Sequence, residues 1–151
     1  MIAPGLTKFE DFAEAAIGQT VAERHEITRE AVDAFAELSG DVNPLHMSDS
    51  FARGAGFAGR VVHGALLAAY VSKLLGTNFP GPGCFWAKQT FQWRGPVFIG
   101  DQVEIAVTVK HKSEGTRTLL LRLEAKNQDG KVVMDGEGVV TVLAQAGGSQ
   151  Q

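Results

Sequence analysis

In the stretch FAELSGDVNPLHMSDSFA, residues 35–52, an aspartate and a histidine, Asp41 and His46, stand with four residues between them. Asn43 and Pro44 are among those four. A carboxylate and an imidazole held on one stiffened loop are the parts needed to move a proton to or from water. Farther along, Val62-His63-Gly64-Ala65 opens a second apolar segment with helical character. The first amides of a helix can bind a developing negative charge. Together these residues suggest acid–base chemistry on a carbonyl compound. Taken alone, Asp41 and Asn43 are equally good turn formers after Gly40, so the residues by themselves leave a purely structural reading open.

Several elements must hold these groups. Val21 to Ile27 reads as a short strand. Thr28 is a good N-cap, and Val32, Phe35, Ala36 and Leu38 then recur at helical spacing as far as Gly40, a plausible stop. Residues 41–62 form a long, polar, glycine-containing connection, within which Ser48 caps a short helix to Arg53. Connections of this length in a compact domain are usually functional or disordered. Phe51, Phe57, Val61 and Val62 favour an ordered one packed on the body. His63 to Leu75 reads as a helix apolar on nearly every side, hence buried, and ended by Gly76. The rest reads as strands. Phe85 to Trp93 comes first and Gly95-Pro96 breaks it. Val103 to Val109 alternates apolar and polar residues, then Thr118 to Ala125 follows. Gln128-Asp129-Gly130 is a hairpin signal, and Lys131 to Leu143 returns. A single apolar helix followed by an antiparallel meander gives an α+β class, with a curved sheet wrapped around that helix.

At 151 residues the default is one domain. A formal net charge of −3 argues against a general nucleic-acid binder, which needs a basic surface. The single cysteine, Cys84, excludes an internal disulfide and suits a reducing compartment. Residues 1–15 lack the charged start and apolar run of a secretory signal, and no apolar run approaches the ~18 residues of a membrane span. The expected location is cytoplasmic. The sequence has no metal-ligand spacing, phosphate-binding glycine loop or Gly-x-Ser-x-Gly elbow.

The string Phe-x-x-x-Ser-Gly-Asp-x-Asn-Pro-x-His ending at His46, with Val62-His63-Gly64, resembles the MaoC-like, or R-specific enoyl-CoA hydratase, family. The later Gly95-Pro96-Val97-Phe98-x-Gly100-Asp101 is similar to that family's strand connection. The likeness runs from about Phe35 to Leu143. It implies a single hot-dog domain over residues 1–144, and the tail at 145–151 reads as disordered from its own small and polar residues. The implied activity is hydration of trans-2-enoyl-CoA to (R)-3-hydroxyacyl-CoA, or the reverse dehydration. By the same resemblance Asp41 and His46 activate one water, the Gly64 amide meets the thioester oxygen, Asn43 orients the pair, and Ser72 lines the site. Ala65 is small where relatives often carry methionine.

The expectations are therefore an enoyl-CoA hydratase that needs no metal or redox cofactor, coenzyme A entering only as part of the substrate. Acyl-carrier-protein thioesters are a close variant. The family pairs two such domains edge to edge, so at least a homodimer is expected, with no nucleic-acid or membrane partner. Two rivals remain: a hot-dog acyl-CoA thioesterase, and a non-catalytic acyl-CoA-binding subunit. His63 is expected to cap or pack rather than react, and His25 and His111 to lie at the surface. Cys84 is expected to be structural. Arg53, Arg60, Lys73, Lys88 and Arg94 are candidate contacts for the CoA phosphates. Phe85, Trp86, Phe91 and Trp93 belong to core or interface, with alternate members available for an acyl tunnel.

Overall fold

The structure, a computed structural model, describes residues 11–144. The expected tail at 145–151 lies outside the described residues. The elements run α1 (Asp11–Glu14), β1 (Thr20–Glu26), α2 (Arg29–Ser39), α3 (Pro44–Met47), α4 (Asp49–Gly54) and α5 (Gly64–Lys73), then β2 (Cys84–Gln89), β3 (Gln92–Trp93), β4 (Gln102–Ser113), β5 (Thr118–Lys126) and β6 (Val132–Val142). The strands form one antiparallel sheet of order β1-β4-β5-β6-β2, with β3 paired to β6.

Alternation dictates which face of the sheet is buried. Val103, Ile105, Val107 and Val109 of β4, and Leu119, Leu121, Leu123 and Ala125 of β5, are all buried. They join Leu66, Leu67, Val71, Leu74 and Leu75 in one hydrophobic cluster, so the sheet wraps the α5 segment. Register shifts at Trp86/Lys88, Val109/His111 and Ala125/Lys126 bend the strands, as bulges do. This is the hot-dog arrangement. Burial of α5 is less complete than its sequence suggests: Ala65, Ala69, Ser72 and Lys73 are exposed. Gly76 does not end the helical segment. A π turn over Leu74–Asn78 extends it, and the Phe79 amide donates to the Leu74 carbonyl at 2.9 Å. The strand expected over 85–93 divides at Thr90-Phe91 into β2 and β3.

Two local devices set the frame of the site. Thr28 caps α2, its Oγ1 accepting from the Ala31 amide at 3.1 Å. Gly40 ends that helix at φ 76°, a conformation glycine adopts without a Cβ penalty. Asp101 ties down the second device, the turn before β4: its carboxylate accepts from the Phe98 amide and from Gln128 Nε2, each at 2.9 Å. That turn presents the Val97 carbonyl to the Val62 amide at 2.8 Å, next to an isolated bridge between Val61 and Phe98. The sheet thereby grips the segment that leads into α5.

Candidate active site

Asp41 is the first residue beyond the Gly40 stop. Its amide donates to Ser39 Oγ at 3.1 Å, and its Oδ1 accepts from the Asn43 amide at 3.2 Å. The Asn43 side chain caps α3, with Oδ1 accepting from the Leu45 amide at 3.0 Å. Asn43 thus orients Asp41 through its main chain, while its side chain starts the turn that carries His46. Pro44 opens that turn with a pre-set φ.

The His46 ring is largely buried, and its Nδ1 lies 2.6 Å from the Val61 carbonyl oxygen. A carbonyl can only accept, so Nδ1 carries the hydrogen. In the neutral ring Nε2 then holds the basic lone pair. That Nε2 stands 4.0 Å from Asp41 Oδ2. The gap is too long for a direct hydrogen bond and suits one small molecule touching both groups.

His63 is 1% exposed and occupies the N-cap position of α5 without a side-chain capping bond. Its Nε2 lies 2.9 Å from the Asp41 carbonyl oxygen and donates to it. Its ring packs at a tilt against His46, 4.0 Å between centroids, and against Phe35 at 4.9 Å. His63 therefore packs and holds the Asp41 main chain. Its Nδ1 is buried with no hydrogen-bond partner.

Gly64 begins α5, where helix amides lack intrahelical acceptors. A Cβ at this position would meet Trp93 Nε1 at 2.3 Å, so glycine is required for the indole to close against the helix start. Gly64, His46, Leu67, Trp93, Pro96 and Val97 line a mostly apolar cavity of about 550 Å³. The imidazole edge and the helix N-terminus share one chamber. Only Trp93 of the four expected aromatic residues lines it. Trp86 and Phe91 pack against the core, and Phe85 is exposed.

The structure does not bring Ser72 to this chamber. It lies farther along α5, exposed, and is not part of the cavity wall. Folding does gather three potential metal ligands that sequence spacing does not reveal: atoms of Asp41, His46 and His63 lie within 4.8 Å of one another. His63 Nε2 is committed as a donor to the Asp41 carbonyl, which leaves an incomplete donor set.

Most of the expected phosphate-binding cations are engaged elsewhere. Arg60 is buried and pairs with Asp33. Lys73 pairs with Glu23 at 2.8 Å, and Arg94 forks onto Asp135 at 3.0 and 3.1 Å. Arg53 Nε donates to the Ala58 carbonyl at 3.3 Å, while Lys88 is exposed. His25 is not a surface residue. Its side chain is largely buried, stacks on Tyr70 at 4.2 Å and lies 3.2 Å from Glu23. Burial lowers its pKa against the opposing pull of Glu23. His111 is exposed as expected. Burial pushes the Cys84 thiol up to about 11, which keeps it protonated and unreactive at neutral pH.

A curved antiparallel sheet around one helix, with an Asp/His pair near that helix's amino end, defines a hot-dog protein. Residues 12–129 match the family model described as the MaoC like domain, and the chain belongs to that family. It is 40% identical over 131 residues to a 3-hydroxybutyryl-CoA dehydratase of Methylorubrum extorquens, covering 87% of this chain and 83% of the relative. It is 36% identical over 137 residues to an (R)-specific enoyl-CoA hydratase of Rhodospirillum rubrum, covering 91% and 92%. The solved structure of an (R)-hydratase from A. caviae superposes with a TM-score of 0.81 at 36% identity, covering 85% of this chain and 97% of that one.

Proposed function

We propose that the protein is an enoyl-CoA hydratase that adds water to a trans-2-enoyl-CoA to give the (R)-3-hydroxyacyl-CoA, and also runs the reverse dehydration. Family membership and the names of relatives at 36% and 40% identity support the reaction class. One geometric observation carries the mechanism: His46 Nε2, its lone pair freed by the Nδ1 bond to Val61, faces Asp41 Oδ2 across 4.0 Å beside the start of α5.

In this reading one water bridges Asp41 and His46. As its oxygen bonds to C3 of the enoyl group, the pair takes one of its protons. The electrons of the double bond move onto the thioester oxygen, which becomes enolate-like. The Gly64 amide faces that oxygen with a fixed dipole, an interaction typically worth about 3 kcal/mol in a transition state. His46 then delivers a proton to C2 on the same side, and the enolate collapses back to the thioester. Each well-placed acid or base group contributes roughly 10²- to 10⁴-fold. The chain's own residues supply every proton step, so the reading needs no metal or redox cofactor, and coenzyme A enters only with the substrate.

The same reading makes the protein a cytoplasmic homodimer. Among the described residues no helix is long and apolar enough to cross a membrane. Among the described residues β2 is an edge strand, and Phe85 on it is 57% exposed, which supports edge-to-edge pairing of two sheets. Sedimentation at micromolar concentration is expected to give a dimer, and a monomer counts against that pairing.

The decisive assay follows enoyl absorbance and free thiol together on crotonyl-CoA. Loss of absorbance without thiol release, with product oxidised by an (R)-specific 3-hydroxyacyl-CoA dehydrogenase, is the expected result. Thiol release in place of hydration would favour a thioesterase, and tight binding without turnover a non-catalytic subunit.

A further inference from the structure

Among the described residues only two polar or charged side chains are buried, His63 and Arg60. His63 belongs to the site already described, through its contacts with Asp41 and His46. Arg60 does not itself line the cavity beside Gly64, and its side chain contacts no group that would exchange a proton. We propose that Arg60 is a positioning residue that fixes His46 for proton transfer, an inference whose kinetic part rests on the hydratase reading.

The contacts converge on one histidine. Arg60 Nε donates to the His46 carbonyl at 2.5 Å. Arg60 Nη2 donates to Asp33 of α2 and lies 3.8 Å from Met47 Sδ. The Arg60 amide donates to Asp49 Oδ1 at 2.9 Å. That amide is the main reason the Asp49 carboxyl sits below its ordinary pKa, with Arg53 and Arg29 adding to the effect against desolvation. The next residue completes the grip: the Val61 amide donates to the Leu45 carbonyl at 3.1 Å, and the Val61 carbonyl accepts from His46 Nδ1 at 2.6 Å. Two consecutive residues thus hold His46 by its main-chain oxygen and by its ring.

His46 needs this support because it sits in a helix of four residues, far too short to be stable alone. Burying a guanidinium is costly unless it is paired and hydrogen-bonded. Here the countercharge comes from Asp33, itself half exposed, and the planar fork serves Asp33 and the His46 carbonyl together. A lysine ammonium has no such fork.

The test compares full-length wild type with Arg60→Met and Arg60→Lys. In folded Arg60→Met, kcat for crotonyl-CoA is expected to fall roughly 30- to 100-fold, the scale of an ångström-sized misplacement. KM should stay within about threefold, since ground-state binding is not touched. Arg60→Lys should recover part of the loss. A second arm does not depend on activity: in ¹⁵N-histidine NMR the protected Nδ1 proton of His46 should be seen in wild type and lost to exchange in Arg60→Met. Wild-type kcat in the folded variant, a rise in KM alone, or an unchanged His46 signal each overturns the proposal. If Arg60→Met fails to fold, Arg60→Lys carries both measurements and must show intermediate loss. If wild type does not hydrate crotonyl-CoA, the functional reading fails separately and the NMR arm alone decides on Arg60.

Discussion

Asp41→Asn is expected to lower kcat for crotonyl-CoA hydration by about 10³-fold and to leave the fold intact. Asparagine keeps the side-chain oxygen that accepts from the Asn43 amide, so the turn into α3 survives. What is lost is the negative charge and the basic oxygen facing His46 Nε2. Asp41 is half exposed, and substitutions at such positions usually change stability by less than about 0.5 kcal/mol. His46→Gln should have a comparable effect for a different reason. Its amide can still donate to the Val61 carbonyl, but it cannot exchange a proton near neutral pH. Steady-state rates on samples of matched circular dichroism provide the check. If either folded variant retains more than a tenth of the wild-type rate, the Asp41/His46 assignment fails.

The largest stability effect is expected at Gly136→Ala. A Cβ there would lie 1.8 Å from the Thr90 carbonyl oxygen and 2.8 Å from its carbon. Both are main-chain atoms, and the Thr90 amide is itself bonded to the Glu137 carbonyl at 2.8 Å. The methyl can be admitted only by pushing the β2–β3 crossing away from β6. Overpacking of this kind typically costs 1–3 kcal/mol, and the rigid neighbour places this case near about 3 kcal/mol. Gly138→Ala is the natural comparison. Its Cβ would strike Gln89 Oε1 at 2.2 Å, the end of a side chain that can turn aside by giving up its bonds to Trp86 Nε1 and the Thr90 carbonyl. A loss of about 1 kcal/mol is expected there. Denaturant unfolding at fixed protein concentration measures both, since association shifts apparent stability. Equal stabilities for the two variants would remove the distinction between rigid and yielding neighbours.

Features that depend on nearby residues were legible in the sequence. The Thr28 cap, the Gly40 stop, the Ser48-capped helix and the alternation of β4 each follow from short-range chemistry, and each is present. So is the convergence of the 41–46 turn with the start of α5, because motif and resemblance both pointed to it. What stayed hidden depends on distant partners. Arg60 reads as an exposed cation until α2 supplies Asp33 and α3 supplies a carbonyl. His25 reads as a surface residue until Tyr70 covers it. Gly76 reads as a stop, yet the chain bridges it with a wider turn that keeps Leu74 and Leu75 buried. Ser72 was placed by resemblance alone, and the helix turns it outward, away from the cavity.

The segment from Asp33 to Gly64 holds its own parts together: Asp33 to Arg60, Arg60 to His46, His46 to Val61, and His63 to Asp41. The sheet enters mainly through the Val97 carbonyl and the Trp93 ring. Asp41, His46 and their supports thus form a nearly self-contained cassette, mounted on a scaffold whose other walls shape the chamber. Such an arrangement leaves evolution, or an engineer, free to recut Trp93, Pro96 or Leu67 and reshape the chamber while Asp41 and His46 keep their geometry.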